Sequence, residues 1–439
     1  MDTPQLSGMD PGFDPDRSDD AADPRERDAS DPLAEFRQRF DVPGELYLDG
    51  NSLGPVSDAA ERSLERALEE WRELGIEAWT EADRPWFRYG ESLGDELAAL
   101  VGADGEEVVV ANSTTVNIHT LVGTFLDARD DRPPGVLVNE LDFPTDHYAI
   151  RSQLRQRGHD PDEHLHVVES RDGRTIAEDD VVAALEDREV GIAFMPSVLY
   201  RSGQLLDIER ITEAAHEHGA LAGFDLAHSV GVVPHELSAH GADFAVWCSY
   251  KYLNAGPGAI AGLYVDERHF GETPSLAGWW GHEKETQFEL RERFTPAESA
   301  GAWQIGTVPV LAAAPLAGSL EIVREAGIDR IREKSLALTA TLIRLVDETL
   351  AEYGCTVGTP RAPEDRGGHV AIEHPEAERV SEALRERDVV VDFRPPNVIR
   401  VCPAPLYTGF VDVHEFVAQL RDVLETGTYE DVDPAGSVS

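Results

Sequence analysis

The sequence predicts an α/β protein: a large domain with a mostly parallel seven-stranded sheet flanked by helices, followed by a small C-terminal α+β domain. Three observations lead there. From about residue 106, short apolar runs alternate with helical stretches: EEVVVAN then STTVNIHTLVGTFLDA, GVLVNE then PTDHYAIRSQLRQRG, HLHVVE then AEDDVVAALED, and VGIAFMP then DIERITEAAHEHG. ALAGFDLA, DFAVWCS and AGLYV bring the strand-like runs to seven. Such alternation requires right-handed crossovers, hence parallel strands with helices on both faces. After residue 354 the pattern changes to short strands (GGHVAIEH, VVVDF, VIRVCP) with two helical segments, EAERVSEALRERD and DVHEFVAQLRDVLE. Lastly, 41% of the 439 residues are hydrophobic, enough for a sizeable core, and no apolar run is long enough for a membrane-spanning helix.

In chain order, residues 1–32 read as an acidic, disordered tail rich in Asp, Pro and Ser, with no apolar stretch of a secretory signal. Residues 33–310 hold an N-terminal segment and the large domain. Within the segment, residues 57–75, SDAAERSLERALEEWRELG, have Ala, Leu and Trp recurring at helical spacing and a final Gly as C-cap. Residues 311–427 hold a linking helix and the small domain. PVLAAAPLAGSLEIVREAG and DRIREKSLALTATLIRLVDETLAEYG read as two helices, the second long enough to bridge the domains. Residues 428–439 read as a second disordered tail. The formal net charge is −46, from 84 acidic and 38 basic residues, and the acids are dispersed rather than blocked. That pattern fits a salt-adapted surface, as in a halophile, and disfavours nucleic acid as a partner. Cys248, Cys355 and Cys402 are too few and too scattered for a disulfide framework or a metal site, which suits a reducing cytoplasm.

Sites in open α/β sheets gather at the carboxyl ends of strands. One such end is CSYKYLNAGPG, where Lys251 sits between two tyrosines. Asp225 closes another apolar strand, GFD. A carboxylate there is costly unless it meets a cation. Two readings follow: a buried Asp225–Lys251 ion pair, or a pyridoxal phosphate site in which Lys251 carries the cofactor and Asp225 keeps the pyridine nitrogen protonated. Thr114 and Thr115 open a helix and serve either as a phosphate cradle or as ordinary N-cap residues. Phe143 is a stacking aromatic or a core residue. His228 supports the ring or is structural. The Tyr250 hydroxyl can reach a phosphate.

The segments LYLDGNSLGP, FPTDHYAI, FDLAHSVG, CSYKYLNAGPG, GWWGH and IRVCPAPLYTGFVDV, in this order, make the chain resemble the kynureninase family over nearly all of its length between the tails. The resemblance implies the fold type I of pyridoxal 5'-phosphate enzymes and a homodimer with active sites at the subunit interface. It implies hydrolysis of L-kynurenine, and by extension 3-hydroxy-L-kynurenine, to anthranilate or 3-hydroxyanthranilate and L-alanine, in tryptophan breakdown or NAD synthesis. By that resemblance Lys251 anchors the cofactor, Asp225 partners the pyridine nitrogen, and His228, Tyr250, Phe143 and Asp146 contact the cofactor. Thr114 and Thr115 hold the phosphate end, while Trp279 and Thr307 reach it from the partner subunit. Arg400 clamps the substrate α-carboxylate, and Asn51 and Ser52 lie on the substrate side. Lys251 and Tyr250 are the expected proton carriers. Pro196 stands where relatives often place a cofactor-binding Ser or Thr, so Ser197 is the expected replacement. Trp79 and Thr307 flank the aryl ring and favour kynurenine over its 3-hydroxy derivative. Cysteine desulfurases share the large-domain plan but need a mobile nucleophilic cysteine; a non-catalytic acidic scaffold needs neither Lys251 nor Arg400.

Overall fold

The computed structural model describes residues 23–127 and 133–433. Its large sheet is built from β1 (Val108–Val110), β2 (Val136–Asn139), β3 (Leu165–Val168), β4 (Ile192–Pro196), β5 (Leu221–Asp225), β6 (Phe244–Cys248) and β7 (Ala261–Val265). The spatial order is β1-β7-β6-β5-β4-β2-β3, with β7 antiparallel to both its neighbours and the other pairs parallel. Helices cover both faces, so every residue of β4 to β7 is buried and these strands read as apolar runs rather than alternating ones. The seven-stranded fold expected from the alternation is the fold observed.

Some helices begin and end where the sequence places caps. Helix α2 (Asp58–Leu74) starts with Ser57 accepting the Ala60 amide and stops at Gly75. Helix α1 (Pro24–Ser30) precedes it and revises the expected N-terminal tail. Its Asp28 accepts the Phe410 and Val411 amides, and the neighbouring Asp31 pairs with the buried Lys334 at 2.6 Å. These tertiary contacts order a segment whose composition alone reads as disordered. Residues 1–22 and 434–439 of the expected tails lie outside the described residues, while Thr428–Asp431 forms a 3-10 turn.

Helix α3 (Tyr89–Val101) packs on β1, helix α4 (Thr114–Asp127) follows β1, helix α5 (Pro144–Gln156) follows β2, and helix α6 (Ile208–Glu217) follows β4. Two long helices, α7 (Val310–Ala326) and α8 (Ile328–Thr349), meet at Gly327. Helix α8 contributes to both cores: Ile331 packs in that of the large sheet, and Leu338 and Leu342 in that of the small one.

The small sheet is antiparallel, in the order β8 (Thr356–Val357), β9 (Val370–Glu373), β11 (Val398–Val401), β10 (Asp392–Arg394). Val370, Ile372, Ile399 and Val401 face its own core, together with Phe416 and Leu420 of helix α9 (Phe410–Thr426). The strand period of two turns Ala371 and its partner Arg400 to the other face. The N-terminal segment crosses between the halves: Leu46–Tyr47 pairs with Val389–Val390, and Gly54 donates to the Tyr250 carbonyl at 2.8 Å. Gly54 is needed there, because a Cβ would fall 2.5 Å from the Lys251 carbonyl oxygen. Among the described residues, no helix is long and apolar enough to cross a membrane.

Candidate active site

Asp225 ends β5, and Ser249, Tyr250 and Lys251 follow directly on β6, so the sheet delivers them side by side at its carboxyl edge. Asp225 accepts the Ala227 amide at 2.8 Å and lines a narrow crevice with Phe143, Asp146, Pro196, Tyr200 and His228. No ion pair joins Asp225 to Lys251 among the described residues; Lys251 Nζ lies 2.8 Å from His228 Nε2 instead. The ion-pair reading of these two residues is therefore not what the fold builds. Burial raises the Asp225 carboxyl, with Lys251 pulling it back down. Burial lowers the Lys251 ammonium; Cys248 and Asp225 oppose the shift, and Arg400 and Arg394 add to it.

The same edge collects further polar groups. Asp146, near the start of α5, is buried with both carboxylate oxygens lacking a hydrogen-bond partner among the described residues, as does His228 Nδ1. Burial, then Asp225 and Asp142, raise the Asp146 carboxyl well above its usual range. Phe143 is 45% exposed, with its ring edge-on to Tyr200 at 5.3 Å. Thr114 and Thr115 form the first turn of α4, and the Thr115 hydroxyl meets that of Thr145 at 2.8 Å. Tyr250 is half-buried, and Cys248 beside it, together with burial, holds its phenol above the ordinary range.

Arg400 is buried across from this group. Its Nη1 donates to the Tyr200 carbonyl and its Nη2 to Ser52 Oγ, both at 2.7 Å, and Nη2 also pairs with Asp392. Its Nε has no hydrogen-bond partner among the described residues, nor have the amide atoms of buried Asn51. Two expected site residues stand apart: Trp279 is 47% exposed and packs on Trp280 and Phe288, and Thr307 is exposed; neither lines the crevice. Ser197 does not line the crevice. Its hydroxyl is buried behind the strand end at 2.6 Å from Ser229 Oγ, and Pro196 is the residue that faces the crevice. The alternation along β4 accounts for this, since neighbouring side chains point to opposite faces.

A family model for the kynureninase C-terminal domain matches residues 331–420. The chain is 48% identical over 407 residues to a kynureninase of Geobacillus thermodenitrificans, covering 92% of this chain and 95% of that one. The chain belongs to the kynureninase family. A kynureninase of Bacillus anthracis is also 48% identical, over 92% of this chain and 94% of its own length. Among solved structures, an apo cysteine desulfurase of Thermococcus onnurineus superposes with a TM-score of 0.72 at 18% identity, covering 92% of this chain and 98% of its own. A C-DES variant with glycine covalently linked to its PLP-cofactor superposes with a TM-score of 0.75 at 16% identity, covering 88% and 99%. These two share the fold, which is the fold type I of pyridoxal phosphate enzymes.

For this member of the kynureninase family, sequence reasoning missed Asp49, Asp392 and His369. All three are buried beside Arg400. The only signal available was polarity in otherwise apolar strands: Asp392 in VVVDF, and His369 just before VAIE, in register to share the Arg400 face.

Proposed function

We propose that this chain hydrolyses the Cβ–Cγ bond of L-kynurenine to anthranilate and L-alanine, with pyridoxal 5'-phosphate anchored on Lys251. The 48% identity spanning 92% of the chain carries this reading. The site's own chemistry fits the cofactor. Asp225 is a desolvated carboxylate with no cation in ion-pair contact among the described residues, which a protonated pyridine nitrogen satisfies. Asp146 and His228 hold buried polar atoms in need of partners. Phe143 offers a ring face, and the first turn of α4, with Thr114 and Thr115, offers amides and hydroxyls to a phosphate. When bound, the cofactor supplies an electron sink for the charge that develops as substrate bonds break.

The chain's residues do the rest. Arg400 holds the α-carboxylate, which sets the orientation of the bonds to be broken. Lys251, its basicity moderated by burial, takes the Cα proton once its amine is free. Tyr250, kept protonated, donates to the carbon that becomes the methyl group of alanine. Tyr250→Phe is expected to slow alanine formation more than it weakens cofactor binding; the opposite pattern would leave Tyr250 as a ligand only. A desulfurase reading lacks its nucleophile. Cys248, Cys355 and Cys402 are buried, and burial pushes the Cys355 and Cys402 thiols up to about 11 and about 12.

Trp279 and Thr307, turned away from the crevice of their own chain, suit the role of contacts to the site of a partner subunit. Mixing Lys251→Ala with Trp279→Ala subunits tests this: regained activity supports a shared site, and none argues against it. Trp79, packed between Trp86 and Trp280, and Thr307 support a preference for kynurenine over 3-hydroxykynurenine, refuted by equal or better kcat/KM on the latter. Free buried cysteines fit a reducing cytoplasm, and the charge of −46 fits a salt-adapted protein. The deciding experiment is an absorbance spectrum in high salt, before and after L-kynurenine, with Lys251→Ala alongside. A cofactor band lost in the variant, with anthranilate fluorescence from wild type alone, supports the proposal. A band without anthranilate discards the substrate.

A further inference from the structure

His369 precedes β9 in the register that turns Ala371 and Arg400 toward the large sheet. Its side chain is 0% exposed, and neither Nδ1 nor Nε2 has a hydrogen-bond partner among the described residues. An imidazole buried in this way forfeits the hydrogen bonds that water offered it, so both atoms call for an explanation. The ring lies edge-on to His228 at 5.6 Å, and His228 meets Lys251 Nζ at 2.8 Å. The Tyr200 carbonyl faces the ring without hydrogen-bond geometry, and that same carbonyl accepts from Arg400 Nη1. His369 and the Arg400 head therefore converge on one point. On another side the backbone of Gly203 closes over the ring: a Cβ there would lie 3.3 Å from Nε2.

Burial, then Arg400, Lys251 and Arg394, push the imidazole well below its ordinary range, so it is neutral and carries one N–H and one acceptor nitrogen. Arg400 is already engaged by Tyr200, Ser52 and Asp392, which leaves few of its donors for a ligand. A carboxylate held by this guanidinium needs another donor to satisfy its remaining lone pairs.

We infer that His369 is a substrate-contacting residue whose ring N–H donates to the α-carboxylate held by Arg400. The inference rests on Arg400 being the carboxylate clamp. It explains why an uncharged histidine, whose ring nitrogens make no well-formed hydrogen bond among the described residues, is kept between cations: an anion arriving beside Arg400 supplies a strong acceptor.

The test uses holoenzyme and two non-reactive ligands in titration calorimetry. One is the substrate analogue without its α-amine, which keeps the aryl ketone and the carboxylate; the other is its decarboxylated counterpart. His369→Phe keeps a ring against His228 and deletes both nitrogens. It is expected to weaken the carboxylate ligand by roughly 10- to 100-fold and leave the decarboxylated one unchanged. His369→Gln, which retains a donor, is expected to recover most of the loss. With L-kynurenine, KM rises while kcat changes little. Unchanged affinity in His369→Phe, or equal loss for both ligands, overturns the inference while the clamp stands. A wild type that does not prefer the carboxylate ligand overturns the clamp and the inference together. Should His369→Phe melt far below wild type, His369→Met provides the same readout.

Discussion

The two ends of strand β6 treat buried charge in opposite ways. At the amino end, Asp243 is 0% exposed and fully partnered. It accepts from the Ala222 amide at 2.7 Å, from His216 and His269 at 2.8 Å, and from Arg268 at 2.9 Å. Burial alone would raise its carboxyl, but these partners hold it far below its usual range. At the carboxyl end, beyond Cys248, the buried polar groups are short of partners. Asp146 has neither oxygen bonded among the described residues, and His369, Asn51, His228 Nδ1 and Arg400 Nε share that condition. A satisfied charge pins a fold, whereas an unsatisfied one is capacity reserved for a ligand. One strand thus carries a structural end and a chemical end.

The largest expected effect separates the two ends. Lys251→Ala should reduce kynurenine hydrolysis by about 1000-fold or more and leave the melting temperature of the cofactor-free protein near wild type. Asp243→Asn should do the reverse. Removing the shared anion leaves His269 and Arg268 facing each other, and equilibrium unfolding should show a loss of about 3–5 kcal/mol, with kcat retained wherever the variant is folded. The depressed carboxyl contributes stability above the unfolded pKa of about 4 and loses it as the pH falls below that. Asp243→Asn should therefore flatten the acid limb of the stability profile. If both variants lose activity and stability alike, the division is wrong.

A smaller effect sharpens the comparison at the chemical end. Burial, then Asp392, raise the Asp49 carboxyl to about 6. A carboxylate whose pKa is higher folded than unfolded loses stability as the pH rises between the two values. Asp49→Asn should have no effect near pH ~4 and should stabilise by about 1–3 kcal/mol above pH ~6, as read by denaturant titration. A destabilised variant at neutral pH would place Asp49 among the pinned charges. The smallest effect belongs to the surface: raising KCl from about 0.1 to 2 M should lift the melting temperature by several degrees, because screening relieves the repulsion of a net charge of −46. A flat response would leave the acidic surface without a salt-adapted role.

The order of strands and helices was legible in the sequence because short apolar runs alternate with longer stretches of helical periodicity, as strands buried between two helical layers do. The carboxyl-edge residues Asp225, His228, Tyr250 and Lys251 were legible because strand ends are where such sheets place sites. Arg400 and GNSLG were readable only through family resemblance. The helix Pro24–Ser30 was not legible, since its short, charge-rich sequence following an acidic, Pro-rich stretch resembles a tail until Phe410 and Lys334 are brought against Asp28 and Asp31. Ser197 misled because its type suits the missing contact while the pleat turns it away.

From the sequence alone came the fold class, the family and the lysine, all of which depend on local pattern. Tertiary structure alone decided which buried polar groups are satisfied. Arg400 meets Ser52 across 348 positions of sequence, and Asp225 makes no ion pair among the described residues although Lys251 lies only 26 positions away. Hydrogen-bond satisfaction belongs to pairs of groups brought together by packing, so only the folded chain shows that Asp243 is complete and His369 is not.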